Sequence, residues 1–111
     1  MKIKLIIIIL SLFIIAGCTS SEENIQPSSD SLEVSISNFA FLPDELTVNT
    51  GDTVTWINND NALHTVTGDN FNSGTLNQNQ EFQYTFSAPG AYEYKCNFHS
   101  SMKGKITVIS S

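Results

Sequence analysis

Cys96, His99 and Met102 stand three residues apart in Tyr94-Lys95-Cys96-Asn97-Phe98-His99-Ser100-Ser101-Met102-Lys103-Gly104, between two short runs of strand character. A β-turn brings residues i and i+3 within about 7 Å at their Cα atoms. Two successive turns therefore gather a thiol, an imidazole and a thioether around one point. Thiolate and thioether are soft donors that suit copper, and one Cys with two His in a trigonal set plus a distant Met is a copper electron-transfer site. The trio is one imidazole short. The chain holds one other histidine, His64, so this chemistry depends on the fold delivering His64 to the loop.

Taken singly, each of these residues has a blander reading. A lone cysteine packs as a small hydrophobe, and a lone methionine fills gaps in a core. Taken together, three soft-metal donors within seven residues are a constellation. Other site chemistries fit it less well. A structural zinc site takes four Cys or His ligands, and the chain has no Cys-x-x-Cys pair. A Cys-His nucleophile needs an orienting third group and a substrate cleft. Neither a glycine-rich phosphate loop nor a Gly-x-Ser-x-Gly elbow is present. The expectation is a protein that is not an enzyme.

The elements that must position these donors read as strands. Leu32, Val34 and Ile36 alternate with Glu33, Ser35 and Ser37, and Phe39-Ala40-Phe41-Leu42-Pro43 breaks that run. Leu46-Thr47-Val48 resumes it. Thr50-Gly51-Asp52 is a turn before the β-branched and aromatic run Thr53-Val54-Thr55-Trp56-Ile57-Asn58, and Asn58 to Asn61 is loop. His64-Thr65-Val66-Thr67 is strand-like, and Glu81 to Phe86 alternates. Ala88-Pro89-Gly90 offers Pro and Gly to the centre of a type II turn. Tyr92, Tyr94 and Cys96 then share one strand face, and Ile106 and Val108 follow the loop. Seven to eight short strands without a helical period predict an all-β sandwich or barrel over 32–111. In such a fold, neighbouring strand ends place distant loops side by side.

Residues 1–17 read as a signal peptide: Met1-Lys2-Ile3-Lys4 is basic, Leu5 to Ile15 is almost unbroken apolar sequence, and Ala16-Gly17 are small. Ile15-Ala16-Gly17-Cys18 resembles a bacterial lipobox, which predicts lipidation of Cys18 and anchoring on the extracytoplasmic face of a membrane. Residues 18–31 are then a lipidated start and a flexible polar tether, with a reach of roughly 20 Å. Without Lys2 and Lys4, three lysines face eleven carboxylates, a net charge of −8. That balance disfavours nucleic acid and fits a protein partner better. With Cys18 lipidated, Cys96 is an odd thiol in an oxidising compartment and cannot form an internal disulfide.

The Cys96-x-x-His99-x-x-Met102 spacing, the upstream His64-Thr65-Val66-Thr67, Ser87 to Tyr94 before the cysteine and Gly104-Lys105-Ile106-Thr107-Val108 after it resemble the cupredoxins, the plastocyanin and azurin family. The ligand loop is as short as that of the amicyanin branch, and lipid-anchored members of the halocyanin type look closer still. The likeness spans Leu32 to about Ile109. It implies a Greek-key β-sandwich with one type 1 copper, His64, Cys96 and His99 as equatorial ligands and Met102 axial. It also implies a monomer that shuttles single electrons between larger redox proteins, such as a cytochrome or a copper- or quinone-linked oxidoreductase. His99 would be the electron exit, with Phe98 and Leu63 in an apolar patch around it. The alternative is a copper-binding or delivery protein of the cell envelope without a redox partner.

Two departures from the family pattern carry expectations. Thr65 stands where many relatives have Asn, so its hydroxyl either makes a shorter link between the two metal loops or leaves them unlinked. Phe98 stands where the amicyanin-like loop commonly has Pro. Its backbone N–H is expected to give Cys96 Sγ a second hydrogen bond besides that of Thr65 N–H.

Overall fold

Val34 and Ile36 are buried while Glu33, Ser35 and Ser37 are not, the period of a strand with one face on a core. The computed structural model describes residues 32–111. The expected signal peptide, the lipidation of Cys18 and the tether lie outside the described residues. The elements run β1 (Glu33–Ser37), β2 (Ala40–Leu42), β3 (Glu45–Asn49), β4 (Thr53–Asn58), β5 (Thr67–Gly68), β6 (Glu81–Thr85), β7 (Gly90–Lys95) and β8 (Lys103–Ile109). They form two four-stranded sheets, ordered β2-β1-β4-β6 and β3-β8-β7-β5. Two pairings are parallel, β1 with β4 and β3 with β8, and the others are antiparallel. The all-β sandwich expected from the sequence is the observed fold.

Three local expectations change. Phe39 to Pro43 does not simply break the first run, because Ser37 pairs with Ala40 and Asn38-Phe39 is a two-residue hairpin loop. Both residues have positive φ, 54° and 58°, as a type I′ turn requires. The signal was obscured because Phe39 takes the place usually held by Gly. Next, only Thr67 of His64–Thr67 lies in a strand. The Thr65 and Val66 amides turn instead to Cys96 Sγ and Ser73 Oγ. Finally, Ala88-Pro89-Gly90 forms no type II turn, since Gly90 has φ 150° and begins β7. Tyr92 Oη holds this bend by donating to Ala88 O at 2.7 Å.

The core between the sheets is aromatic. Trp56 of β4 meets Tyr94 of β7 edge-on at 5.4 Å, with Phe71, Phe82 and Phe86 around the indole. Tyr94 in turn meets Phe41 at 4.7 Å. Gly68, Tyr94 and Gly104 lie in one cross-strand row, and a Cβ on Gly104 would collide with the Tyr94 ring. That row fixes β7 two residues before Cys96.

Trp56 Nε1 and Tyr94 Oη are buried without a hydrogen-bond partner among the described residues. Burial pushes the Tyr94 phenol up to about 12; the nearby indole N–H offsets part of this, and Asp44 adds to it. Between about pH 10 and 12 the unfolded chain has lost this proton while the folded chain keeps it. Stability therefore falls by about 1.4 kcal/mol per pH unit as pH rises through that window. Tyr94→Phe is expected to remove this alkaline loss. Because Tyr94 Oη is unpartnered, the variant should hold neutral-pH stability to within about 1 kcal/mol. Denaturant titrations of both proteins at about pH 7 and about pH 11 check this.

Candidate metal centre

The two loops that carry the predicted donors meet at one end of the sandwich. Cys96 follows directly from the last residue of β7, and Met102 directly precedes β8, so the ligand loop closes the β7–β8 hairpin. Cys96 N–H donates to Met102 O at 3.1 Å, and Met102 N–H donates to His99 O at 2.9 Å. His64 arrives from the other side of the core. Its backbone is pinned by a two-way exchange with Leu76, His64 N–H to Leu76 O and Leu76 N–H to His64 O.

The resulting geometry is that of a shared ion. His64 Nδ1 and His99 Nδ1 each lie 3.7 Å from Cys96 Sγ, and all three donor atoms lie within 4.8 Å of one another. Donors held in a trigonal array about 2.0 Å (nitrogen) and about 2.3 Å (sulfur) from one ion are about 3.7 Å apart. The donor set therefore fits one first-row transition metal. His64 and Cys96 are fully buried and His99 is half-buried, so one imidazole reaches toward the surface. Met102 is buried beside them in the chain, and its backbone shapes the loop.

Around Cys96 one expectation holds and another fails. Thr65 N–H donates to Cys96 Sγ at 3.4 Å. Thr65 Oγ1 accepts Asn97 N–H at 2.9 Å and shares a hydrogen with Thr67 Oγ1 at 2.9 Å. The shorter link between the two loops is thus present, made by a hydroxyl. Phe98 N–H makes no hydrogen bond to the sulfur among the described residues. The close polar neighbours of Sγ are Thr65 N, His64 Nδ1 and His99 Nδ1. The Phe98 ring is exposed. Thr65→Val, which keeps the amide and deletes the hydroxyl, is expected to cost about 1 kcal/mol. It should speed hydrogen exchange of Asn97 N–H while the potential of the metal-loaded protein stays near wild type.

The residues that aim His64 were not singled out by the sequence. Asn58, fully buried at the end of β4, donates to Ala62 O and Leu76 O and accepts Asp60 N–H, each at 2.9 Å. That knots the Asn59–Leu63 loop. Asp60 Oδ2 then takes His64 Nε2 at 2.9 Å. An ionised carboxylate only accepts, so Nε2 donates to Asp60 and Nδ1 is the ring nitrogen turned to Cys96. Partial burial pushes the Asp60 carboxyl up, but Phe39 N–H, the His64 ring and Asn38 N–H outweigh it and leave it below its usual value.

The same carboxylate holds the hairpin loop. Asn38 N–H reaches Oδ1 at 2.8 Å and Phe39 N–H reaches Oδ2 at 2.9 Å. A left-handed residue with a side chain costs roughly 1–2 kcal/mol. Hydrogen bonds to a charged acceptor contribute roughly 1.5–3 kcal/mol each, enough to offset this even when partly solvated. The Phe39 ring meets His64 at 5.2 Å and His99 at 4.8 Å, edge-on to both. Asn38, at the first position of a two-residue loop between alternating runs, was the one available sign of this hairpin.

Comparison with known proteins agrees with this geometry. The Cupredoxin-like domain family matches residues 5–108. The chain belongs to the cupredoxin family. This cupredoxin is 36% identical over 88 residues to Amicyanin-alpha of Methylorubrum extorquens, covering 70% of this chain and 71% of that protein. Among solved structures it resembles the reduced state of a proline-to-phenylalanine variant of amicyanin, with a TM-score of 0.65, 33% identity and coverage of 70% and 81% of the two chains. It also resembles a purple cupredoxin from Nitrosopumilus maritimus, with a TM-score of 0.65, 30% identity and coverage of 69% and 98%.

Proposed function

We propose that this cupredoxin carries single electrons through one type 1 copper ion held by His64, Cys96 and His99, with Met102 as the axial ligand. The convergence of His64 Nδ1, Cys96 Sγ and His99 Nδ1 at the separations of a trigonal site carries this reading. The bound ion supplies a one-electron Cu(I)/Cu(II) couple, and soft thiolate and thioether donors suit its reduced state. The chain's own work is to hold the donors still. Asp60 fixes one ring of the pair, Thr65 ties the loops together, and the β7–β8 hairpin holds Cys96 and Met102.

His99 is the exit for the electron in this reading. Phe39 touches its ring, Phe98 precedes it and Leu63 precedes His64; all three side chains are exposed and apolar. A redox partner such as a cytochrome or a copper- or quinone-linked oxidoreductase would dock over this collar. Residues 32–111 carry eight carboxylates and three lysines, which favours a partner with a positive surface. The Ile15-Ala16-Gly17-Cys18 motif supports export and lipid anchoring on the extracytoplasmic face. The protein acts as a monomeric carrier, not as an enzyme.

Adding Cu(II) to the purified protein is expected to give an intense blue thiolate-to-copper band that a one-electron reductant bleaches and an oxidant restores. Copper should also raise the melting temperature, since only folding brings its donors to one point and the folded chain therefore binds it more tightly. Colourless copper that exchanges rapidly with a chelator would instead support copper delivery.

A further inference from the structure

We propose that Asp60 and Phe39 form a clamp that positions both imidazoles of the centre, Asp60 acting on His64 and Phe39 on His99. Three donors converge on the Asp60 carboxylate: Asn38 N–H, Phe39 N–H and His64 Nε2. Its own N–H is held by the buried Asn58. One side chain thereby joins the β1–β2 hairpin loop to a metal-ligating ring, reaching partners 22, 21 and 4 residues away in sequence.

Phe39 gives the clamp its second arm. Glycine is the unstrained choice at the second position of a type I′ loop, and a bulky aromatic residue there is a conformational outlier. The ring gains little from core burial, being 51% exposed. Among the described residues its aromatic contacts are the two imidazoles, at interplanar angles of 89° and 87°. Such an outlier persists where the surrounding structure holds it and the site uses it. Wedged edge-on against both rings, Phe39 limits rotation of His99, the half-buried ligand on a loop. The clamp acts through the histidines, so both residues are positioning residues.

The electrochemical part of the test rests on the copper reading; the metal-free part does not. Phe39→Gly deletes the ring and relieves the left-handed conformation, so the hairpin and the fold are retained. In the metal-free protein, NMR relaxation of the His99 ring is expected to show a clear loss of order in Phe39→Gly. In Asp60→Asn, which cannot accept from all three donors, amide exchange of Asn38 and Phe39 should accelerate at least about tenfold. With copper bound, both variants should lose affinity by about 10- to 100-fold. The midpoint potential of Asp60→Asn should shift upward, because the anion that favours the oxidised ion is gone. Wild-type His99 order in Phe39→Gly, together with unchanged amide exchange in Asp60→Asn, would overturn the clamp. A wild-type protein that takes up no copper refutes the copper reading instead, and the metal-free measurements still decide the clamp.

Discussion

Cys96→Ser is expected to abolish the blue band of the copper-loaded protein and to leave the domain folded. The band arises from charge transfer between thiolate sulfur and copper, and a serine hydroxyl is a hard donor that stays protonated near neutral pH. The fold should survive because Ser is smaller than Cys by little and its Oγ can still accept Thr65 N–H, which now donates to the sulfur at 3.4 Å. Burying that hydroxyl in a site with no exposure costs at most about 1–3 kcal/mol. Loss of affinity for Cu(I) should exceed the about 10–100-fold that follows removal of an outer hydrogen-bond partner, since a ligand itself is lost. Titration with Cu(I) and Cu(II), followed by visible spectroscopy, measures both effects. A serine variant that stays blue would remove Cys96 from the coordination sphere.

Trp56→Ala is expected to destabilise the metal-free domain by about 3–5 kcal/mol, a large share of what a small domain has. Trp56 is fully buried and touches Phe71, Phe82, Phe86 and Tyr94, so it links the two sheets. Truncation leaves a cavity bounded by rings on both sides that cannot collapse without moving a strand. Trp56→Phe should cost much less, because it keeps most of the ring contact and removes an indole N–H that has no partner among the described residues. Copper should restore part of the loss in Trp56→Ala by mass action, since binding needs the folded loops. Denaturant unfolding of the three proteins, with and without copper, checks the ranking. Equal losses in the Ala and Phe variants would show that packing at this ring does not hold the sheets.

Much of the fold was legible because a half-buried strand writes its period into the chain. Val34 and Ile36 in β1 alternate with exposed or half-buried residues as the sequence reading expected, and the β-branched and aromatic run Thr53–Asn58 is β4. The β1–β2 hairpin was not, because Asn38-Phe39 lacks the glycine that marks such turns; its left-handed pair is held by Asp60, twenty-one residues beyond Phe39. Asp60 and Asn58 looked like ordinary polar loop residues. Their roles depend on acceptors and donors that only the folded chain brings near. The expected Phe98 hydrogen bond failed for the same kind of reason, since the direction of one peptide N–H in a loop follows from its tertiary ties.

By itself the amino-acid sequence determined the kinds of donor available, their spacing of three within the loop and the strand period of the segments around them. These are local properties, carried by residue type and by the short reach of a turn. Tertiary structure alone decided that His64 meets Cys96, which nitrogen it presents and that Thr65 ties the two loops, since each depends on groups more than thirty residues apart or on a hydrogen bond across a loop. No periodicity encodes such a meeting. Packing of one sheet on the other does.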